Sequence, residues 1–189
     1  MDQGNTTCPI NPAGFKIHSA IHTSERGQNN GDILWTMHTH TVETVAVSNY
    51  QHGLLPGLSQ FAMDLGPVAM HSFEHATTPG SDVCKRLVDD LGAAPCKCLL
   101  LRNHGCLTVG KTVGECYFRL LQLTLACKVQ VLCEPSVDGD GRVVQVEEDM
   151  VKRTFKITED NYTGKGFGEL EWLAAVRKLE REKGDAYKL

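Results

Sequence analysis

The run Cys98-Leu99-Leu100-Leu101 constrains the fold more than any other stretch of this sequence. Four apolar residues in succession, bounded by turn formers, read as a buried strand. Asn103-His104-Gly105 is a sharp turn out of it, and Cys106 to Val109 reads as the returning strand. The longest helix is then expected from Lys111 to Cys133. It is apolar at Val113, Cys116, Leu120, Leu121, Leu125, Val129 and Leu132, so most of it should be buried. Glu134-Pro135 is expected to stop it.

Elsewhere the same alternation continues. Asn11-Pro12 reads as a helix start, with Asn as the cap and Pro at the first helical position, and Thr23-Ser24 as its end. Glu25 to Gly31 is a turn-rich loop. Ile33 to Thr41 is β-like, Val42 to Gln51 is expected as a short helix, and His52 to Gly57 breaks it. Pro67 to Phe73 reads as a strand. Gly80 to Leu91 is an amphipathic helix, with Val83, Leu87, Val88 and Leu91 inward, Lys85, Arg86, Asp89 and Asp90 largely outward, and Gly92 as its C-cap. Residues 142–168 are polar with weak signals, and Glu169 to Lys183 is a C-terminal helix. Strand and helix in alternation imply a sheet covered by helices. The expected layout is one domain over 1–189, a core of 9–135 and a C-terminal extension of 136–189.

The bulk numbers exclude several classes. A formal net charge of −4 gives no basic stripe, so no nucleic-acid partner is expected. No apolar run approaches the ~18 residues of a transmembrane helix. The first residues, Met1 to Asn5, lack the basic and apolar parts of a signal peptide. The eight cysteines fall largely in apolar segments and are read as buried thiols in a reducing compartment, with the cytoplasm as the expected location. Cys96 and Cys98, as alternate residues of a strand, form the one cysteine pair that would suit a metal.

Eight histidines offer several metal sites. His38 and His40 lie two apart on the expected strand and so share a face, Cα atoms ~6.6 Å apart. Two such rings can converge on one divalent ion. His104, in the turn at the end of a buried strand, is the candidate third ligand, with Gly105 turning the backbone away. His18 and His22, at i and i+4 on the first helix, are a rival chelating pair. His71 with His75 ranks below both, and His52 reads as a loop residue.

Several stretches, in one order, resemble the class II aldolase/adducin family. They are Asn11-Pro12-Ala13-Gly14-Phe15-Lys16-Ile17-His18-Ser19-Ala20-Ile21-His22, Met37-His38-Thr39-His40-Thr41, Gly53-Leu54-Leu55-Pro56, Val68-Ala69-Met70-His71 and Leu101 to Gly110 around Asn103-His104-Gly105. Gly168-Glu169-Leu170-Glu171-Trp172, running on to Tyr187, resembles the end of the adducin-like branch. The resemblance implies an α/β fold, a three-layer α/β/α sandwich lacking the first elements. It implies that His38, His40 and His104 are imidazole ligands of Zn2+ or another divalent metal ion. It also implies a homo-oligomer, commonly a tetramer, and a small hydroxycarbonyl or sugar-phosphate ligand, with the metal acting as a Lewis acid.

Three departures accompany the resemblance. The position of the family's metal-binding, proton-transferring Glu, four residues before His18, is Gly14, and Glu43 and Glu74 are conceivable substitutes. The family's phosphate-binding serines are replaced by Pro12-Ala13-Gly14. The chain also starts some tens of residues into the family pattern, which is expected to leave an open sheet edge. The expected function is therefore a divalent-metal-binding, aldolase-like protein with weak or lost aldehyde-lyase activity. The alternative is a non-catalytic self-association domain similar to the adducin head, linked to the actin and membrane cytoskeleton. The absence of a long Lys-rich tail after Leu189 weighs against cytoskeletal partners.

Overall fold

A computed structural model describes residues 10–28, 31–74, 82–93, 95–137, 144–161 and 166–187. Four strands form one sheet: β1 (Trp35–Thr39), β2 (Val68–His71), β3 (Cys98–Leu101) and β4 (Gly105–Gly110), in the order β1-β4-β3-β2. β1 and β3 both run antiparallel to β4, and β2 runs parallel to β3. The central pair is buried along its whole length, as the apolar run Cys98–Leu101 requires.

Burial on both sides needs a layer on each. One face, bearing Leu99, Leu101, Leu107 and Val109, packs against Ile17 and Ile21 of α1 (Pro12–His22) and Leu87 and Leu91 of α5 (Val83–Leu91). The other face, bearing Cys98, Leu100 and Cys106, packs against three further helices. These are α3 (Val42–Ser48), α4 (Gln60–Met63) and α6 (Val113–Val137). The fold is thus the expected three-layer α/β/α arrangement. The extension adds α7 (Glu148–Asn161) and α8 (Glu169–Lys183).

Local chemistry accounts for the ends of these elements. Asn11 Oδ1 accepts hydrogen bonds from the N–H groups of Ala13 and Gly14, which caps α1 as its Asn-Pro start implies. Thr41 caps α3 through the N–H of Thr44. Gly92 ends α5 with φ +65.

Several expectations need correction. The loop after α1 contains a short helix, α2 (Glu25–Gln28), and α4 and the 3-10 turn Pro56–Leu58 fill the break after α3. The first strand is shorter than Ile33 to Thr41, and α3 ends at Ser48 rather than Gln51. The helix α6 runs past Glu134-Pro135 to Val137. Leu121 and Leu132 are exposed, while Cys116, Arg119, Leu123, Cys127 and Gln130 are buried. The weak region 142–168 holds all of α7, anchored by Thr158 Oγ1 donating to Asp64 Oδ1 at 2.9 Å.

Cys96 and Cys98 do not share a face. β3 begins only at Cys98, and the two thiols fall in opposite core layers. All seven described cysteines are free, and burial pushes the thiols of Cys106 and Cys116 up to about 12 and 11. Val113–Cys133 of α6 is long and apolar enough to cross a bilayer by composition. Its buried side lies against the sheet.

Charged groups bind α6 to the lip of the sheet and to the extension. Lys97 Nζ lies 2.5 Å from Glu115 Oε1, and the fully buried Arg119 pairs with Glu115 at 3.2 Å and with Glu159 of α7 at 2.6 Å. The Arg119 guanidinium also sits 4.6 Å from the Phe167 ring. Trp172 of α8 packs its ring on Tyr117 of α6.

Candidate metal centre

His38 lies opposite Leu107 in the β1–β4 register, so it points to the face covered by α1 and α5. His40 follows one residue beyond the strand, and His104 comes from the β3–β4 turn. That turn is built from special backbone conformations. Asn103 adopts φ +56, a region Asn tolerates, and donates from Nδ2 to Asn49 Oδ1 at 2.7 Å. Gly105 has φ +151, and a Cβ there would lie 2.3 Å from the Thr39 carbonyl oxygen and 3.1 Å from the His40 ring. Only glycine lets the turn approach the end of β1 this closely.

The approach brings three imidazoles together. Ring centroids are 4.5 Å apart for His38 and His40, 5.0 Å for His38 and His104, and 4.6 Å for His40 and His104. One nitrogen from each ring lies within 4.8 Å of the other two, the one such cluster of three or more His, Cys, Asp or Glu among the described residues. Nδ1–H of His38 donates to the Cys106 carbonyl at 2.8 Å, which leaves Nε2 with a free lone pair. That Nε2 faces His40 Nε2 at 2.6 Å. A tetrahedral ion with bonds of ~2.0–2.1 Å needs its nitrogens about 3.3 Å apart, so small ring rotations would seat one.

At His38 and His104 the electrostatics favour the neutral ring, the form that coordinates metals. Burial lowers His38 to about 4, against its bond to Cys106, and His40 and His104 push the same way. His104 is held below its usual value by burial and then by His40.

The other candidates stand outside the cluster, though His18 is close enough to act on His38. His22 Nε2 is 3.2 Å from Thr36 Oγ1, and His18 is held below its usual value by burial and by His22. Neither belongs to the cluster. His52 Nδ1 donates to the Gly53 carbonyl at 2.9 Å, and His75 is outside the described residues. Gly14 sits in the first turn of α1 with open space around it. Glu43 is close enough to Cys127, in the α6 layer, to act on its thiol. Glu74 is gripped by both arms of Arg86, which holds its carboxyl below the usual range.

His71 stands differently from its expected rank. Its Nδ1 lies 2.6 Å from Asp90 Oδ2, and the pair lies beside the cluster, since His71 and His104 line one niche. Asp90 reads in the sequence as a residue on the solvent side of α5, so nothing local announces this pairing.

Comparison with known proteins agrees with this architecture. The profile described as Class II Aldolase and Adducin N-terminal domain matches residues 2–131. An aldolase II superfamily protein from Pseudomonas syringae superposes with a TM-score of 0.76 at 34% identity, covering 92% of this chain and 65% of that one. L-fuculose 1-phosphate aldolase from Glaciozyma antarctica superposes with a TM-score of 0.68 at 26% identity, covering 92% of this chain and 61% of that one. Beta-adducin of Rattus norvegicus is 32% identical over 171 residues, 90% of this chain and 22% of that one. The chain belongs to the class II aldolase/adducin family. It spans 63% of the length of the first bacterial relatives it matches.

Proposed function

We propose that this chain binds one divalent metal ion, zinc or a similar first-row ion, through His38, His40 and His104. On this reading it is an aldolase-like protein for small hydroxycarbonyl compounds of the sugar-phosphate class, with turnover weakened or lost through Gly14. The observation that carries the reading is the convergence of three imidazole nitrogens within 4.8 Å. A bound ion would supply Lewis-acid polarisation of a carbonyl oxygen.

The chain's own residues do the rest. The Cys106 carbonyl fixes the His38 ring and its tautomer, the usual outer support of a metal-binding histidine. Burial keeps His38 and His104 neutral at ordinary pH. Gly14 offers no carboxylate to move a proton, and Glu74 is tied to Arg86. The free buried thiols fit a reducing compartment, the cytoplasm on this reading, and the family resemblance favours a homo-oligomer.

The match to Beta-adducin over 90% of the chain supports a second reading, a self-associating domain without turnover. Calorimetric titration of chelator-treated protein with zinc tests the first. One ion per chain is expected, with His104→Ala weakening binding on the order of 10²-fold, since a zinc site of four ligands yields roughly 10–16 kcal/mol in all. Zinc affinity that is negligible, or indifferent to His104, leaves self-association measured by sedimentation as the reading to pursue.

A further inference from the structure

Beside the histidine cluster is a small niche. Ile17, Val83, Leu87 and Leu101 form its apolar wall, and His71, Arg102 and His104 line its polar side. Its volume is about 10 Å3, room for roughly one water or one ligand oxygen. A phosphate group does not fit such a space.

Most polar groups around it are committed. Arg102 donates to the Tyr50 carbonyl at 2.7 Å and to the Gln51 carbonyl at 3.0 Å. Glu74 is held by Arg86. His71 is buried and is not fully committed. Its side chain is 5% exposed, its Nδ1 lies 2.6 Å from Asp90 Oδ2, and its Nε2 is buried without a hydrogen-bond partner. Such an atom is rare and costly in a folded protein. Because Nδ1–H donates to the Asp90 carboxylate, Nε2 of the neutral ring carries the lone pair and accepts. The backbone also ties His71 to the cluster: its carbonyl accepts from the N–H of Arg102 at 2.9 Å, at the start of the turn that bears His104.

We infer that the Asp90–His71 pair is a hydroxyl-binding site of this centre. His71 Nε2 accepts a hydrogen bond from a hydroxyl of a ligand whose carbonyl side faces His38, His40 and His104. This rests on the metal reading above and deepens it: the ligand is a hydroxycarbonyl compound that places a hydroxyl, not a phosphate, in the niche. Asp90 acts by positioning, since it fixes the tautomer and angle of the ring.

The test uses the full chain, with dihydroxyacetone as the probe. Zinc binding is measured first, by calorimetry, on wild type, His71→Phe and Asp90→Ala. All three should bind zinc within about 3-fold of one another, because neither residue belongs to the three-imidazole cluster. Dihydroxyacetone should then bind zinc-loaded His71→Phe about 5–10-fold more weakly than wild type, the worth of one hydrogen bond. In wild type, the 15N resonance of His71 Nε2 should move as dihydroxyacetone is added. Asp90 is 42% exposed in its side chain, so Asp90→Ala serves if His71→Phe does not fold, and it should weaken the probe about 2–5-fold through the freed ring. A Nε2 resonance unmoved in zinc-loaded protein means the niche holds a water only and overturns the inference, as do variants that bind the probe like wild type. Absence of zinc binding by wild type overturns the metal reading and this inference together, a result distinct from zinc binding without any His71 effect.

Discussion

Replacing Gly14 with Glu should stabilise the metal-free protein and, if the start of α1 faces the three imidazoles, tighten zinc binding as well. Gly14 is the third residue of α1, and a Cβ built there meets nothing within 4 Å. Asn11 caps the helix, so a Glu three residues later completes a capping box. Glu exceeds Gly in helix propensity by roughly 0.5 kcal/mol. α1 has no acidic residue in its first turn, and a carboxylate there contributes roughly 0.3–1 kcal/mol against the helix dipole. Together these give about 0.8–1.5 kcal/mol, or a Tm raised by roughly 2–6 °C for a chain of this size. Scanning calorimetry in chelator measures this part. Competition titration with zinc measures the second, where Gly14→Glu should bind more tightly if the start of α1 faces the three imidazoles. Cleavage of a ketose or hydroxyaldehyde phosphate should also rise, since a positioned acid/base group contributes ~10²–10⁴-fold. A lowered Tm would refute the helix argument. A raised Tm with unchanged zinc affinity would show that a carboxylate at position 14 does not reach the three imidazoles. Wild-type turnover already of order 1–10³ s⁻¹ would show that another group carries the proton. Glu43→Gln and Glu74→Gln would then be the variants to make.

Two further outcomes follow from the buried charges and the cluster. Arg119→Ala should lower stability in urea by about 3–5 kcal/mol, because it strips a fully buried cation from Glu115 and Glu159; an unchanged urea midpoint would show that Lys97 alone satisfies Glu115. In metal-free protein the His38 ring should titrate near 4 rather than at its ordinary 6.5, as followed by its NMR shift against pH. The unfolded chain then binds this proton first as pH falls below about 6.5, so stability drops between roughly 6.5 and 4 and this group contributes no further loss below that range. An inflection near 6.5 would mean that His38 is solvated and not in the cluster.

The elements and the clustered histidines that were legible in the sequence owe it to local period. Cys98–Leu101 reads as a buried strand because both of its faces are apolar, and the structure covers both. His38 and His40 read as one pair because alternate strand residues share a face, and they do come together although β1 ends at Thr39, one residue before His40; the Asn103-His104-Gly105 turn announced itself through glycine. What was not legible is polar and buried. The inward stripe of α6 passes through Arg119 and Gln130, whose side chain answers the Leu55 N–H at 2.7 Å and the Gly53 carbonyl at 2.8 Å. A search for apolar spacing passes over both and chooses Leu121 and Leu132, which are exposed. The helix α7 failed for a related reason, since it is held by Thr158 and Glu159 to Asp64 and Arg119 rather than by a continuous apolar face. Asp90 is exposed rather than buried, but its pairing is equally hidden, for nothing on an amphipathic helix's polar side announces the His71 that the neighbouring strand presents. The Cys96–Cys98 pair shows the converse error: a correct rule about alternation, applied two residues before the strand begins, joined side chains that the fold sends to opposite layers. Periodicity thus points to candidate side chains close together along the chain, while groups paired across elements become visible only once the strand and the helix are docked.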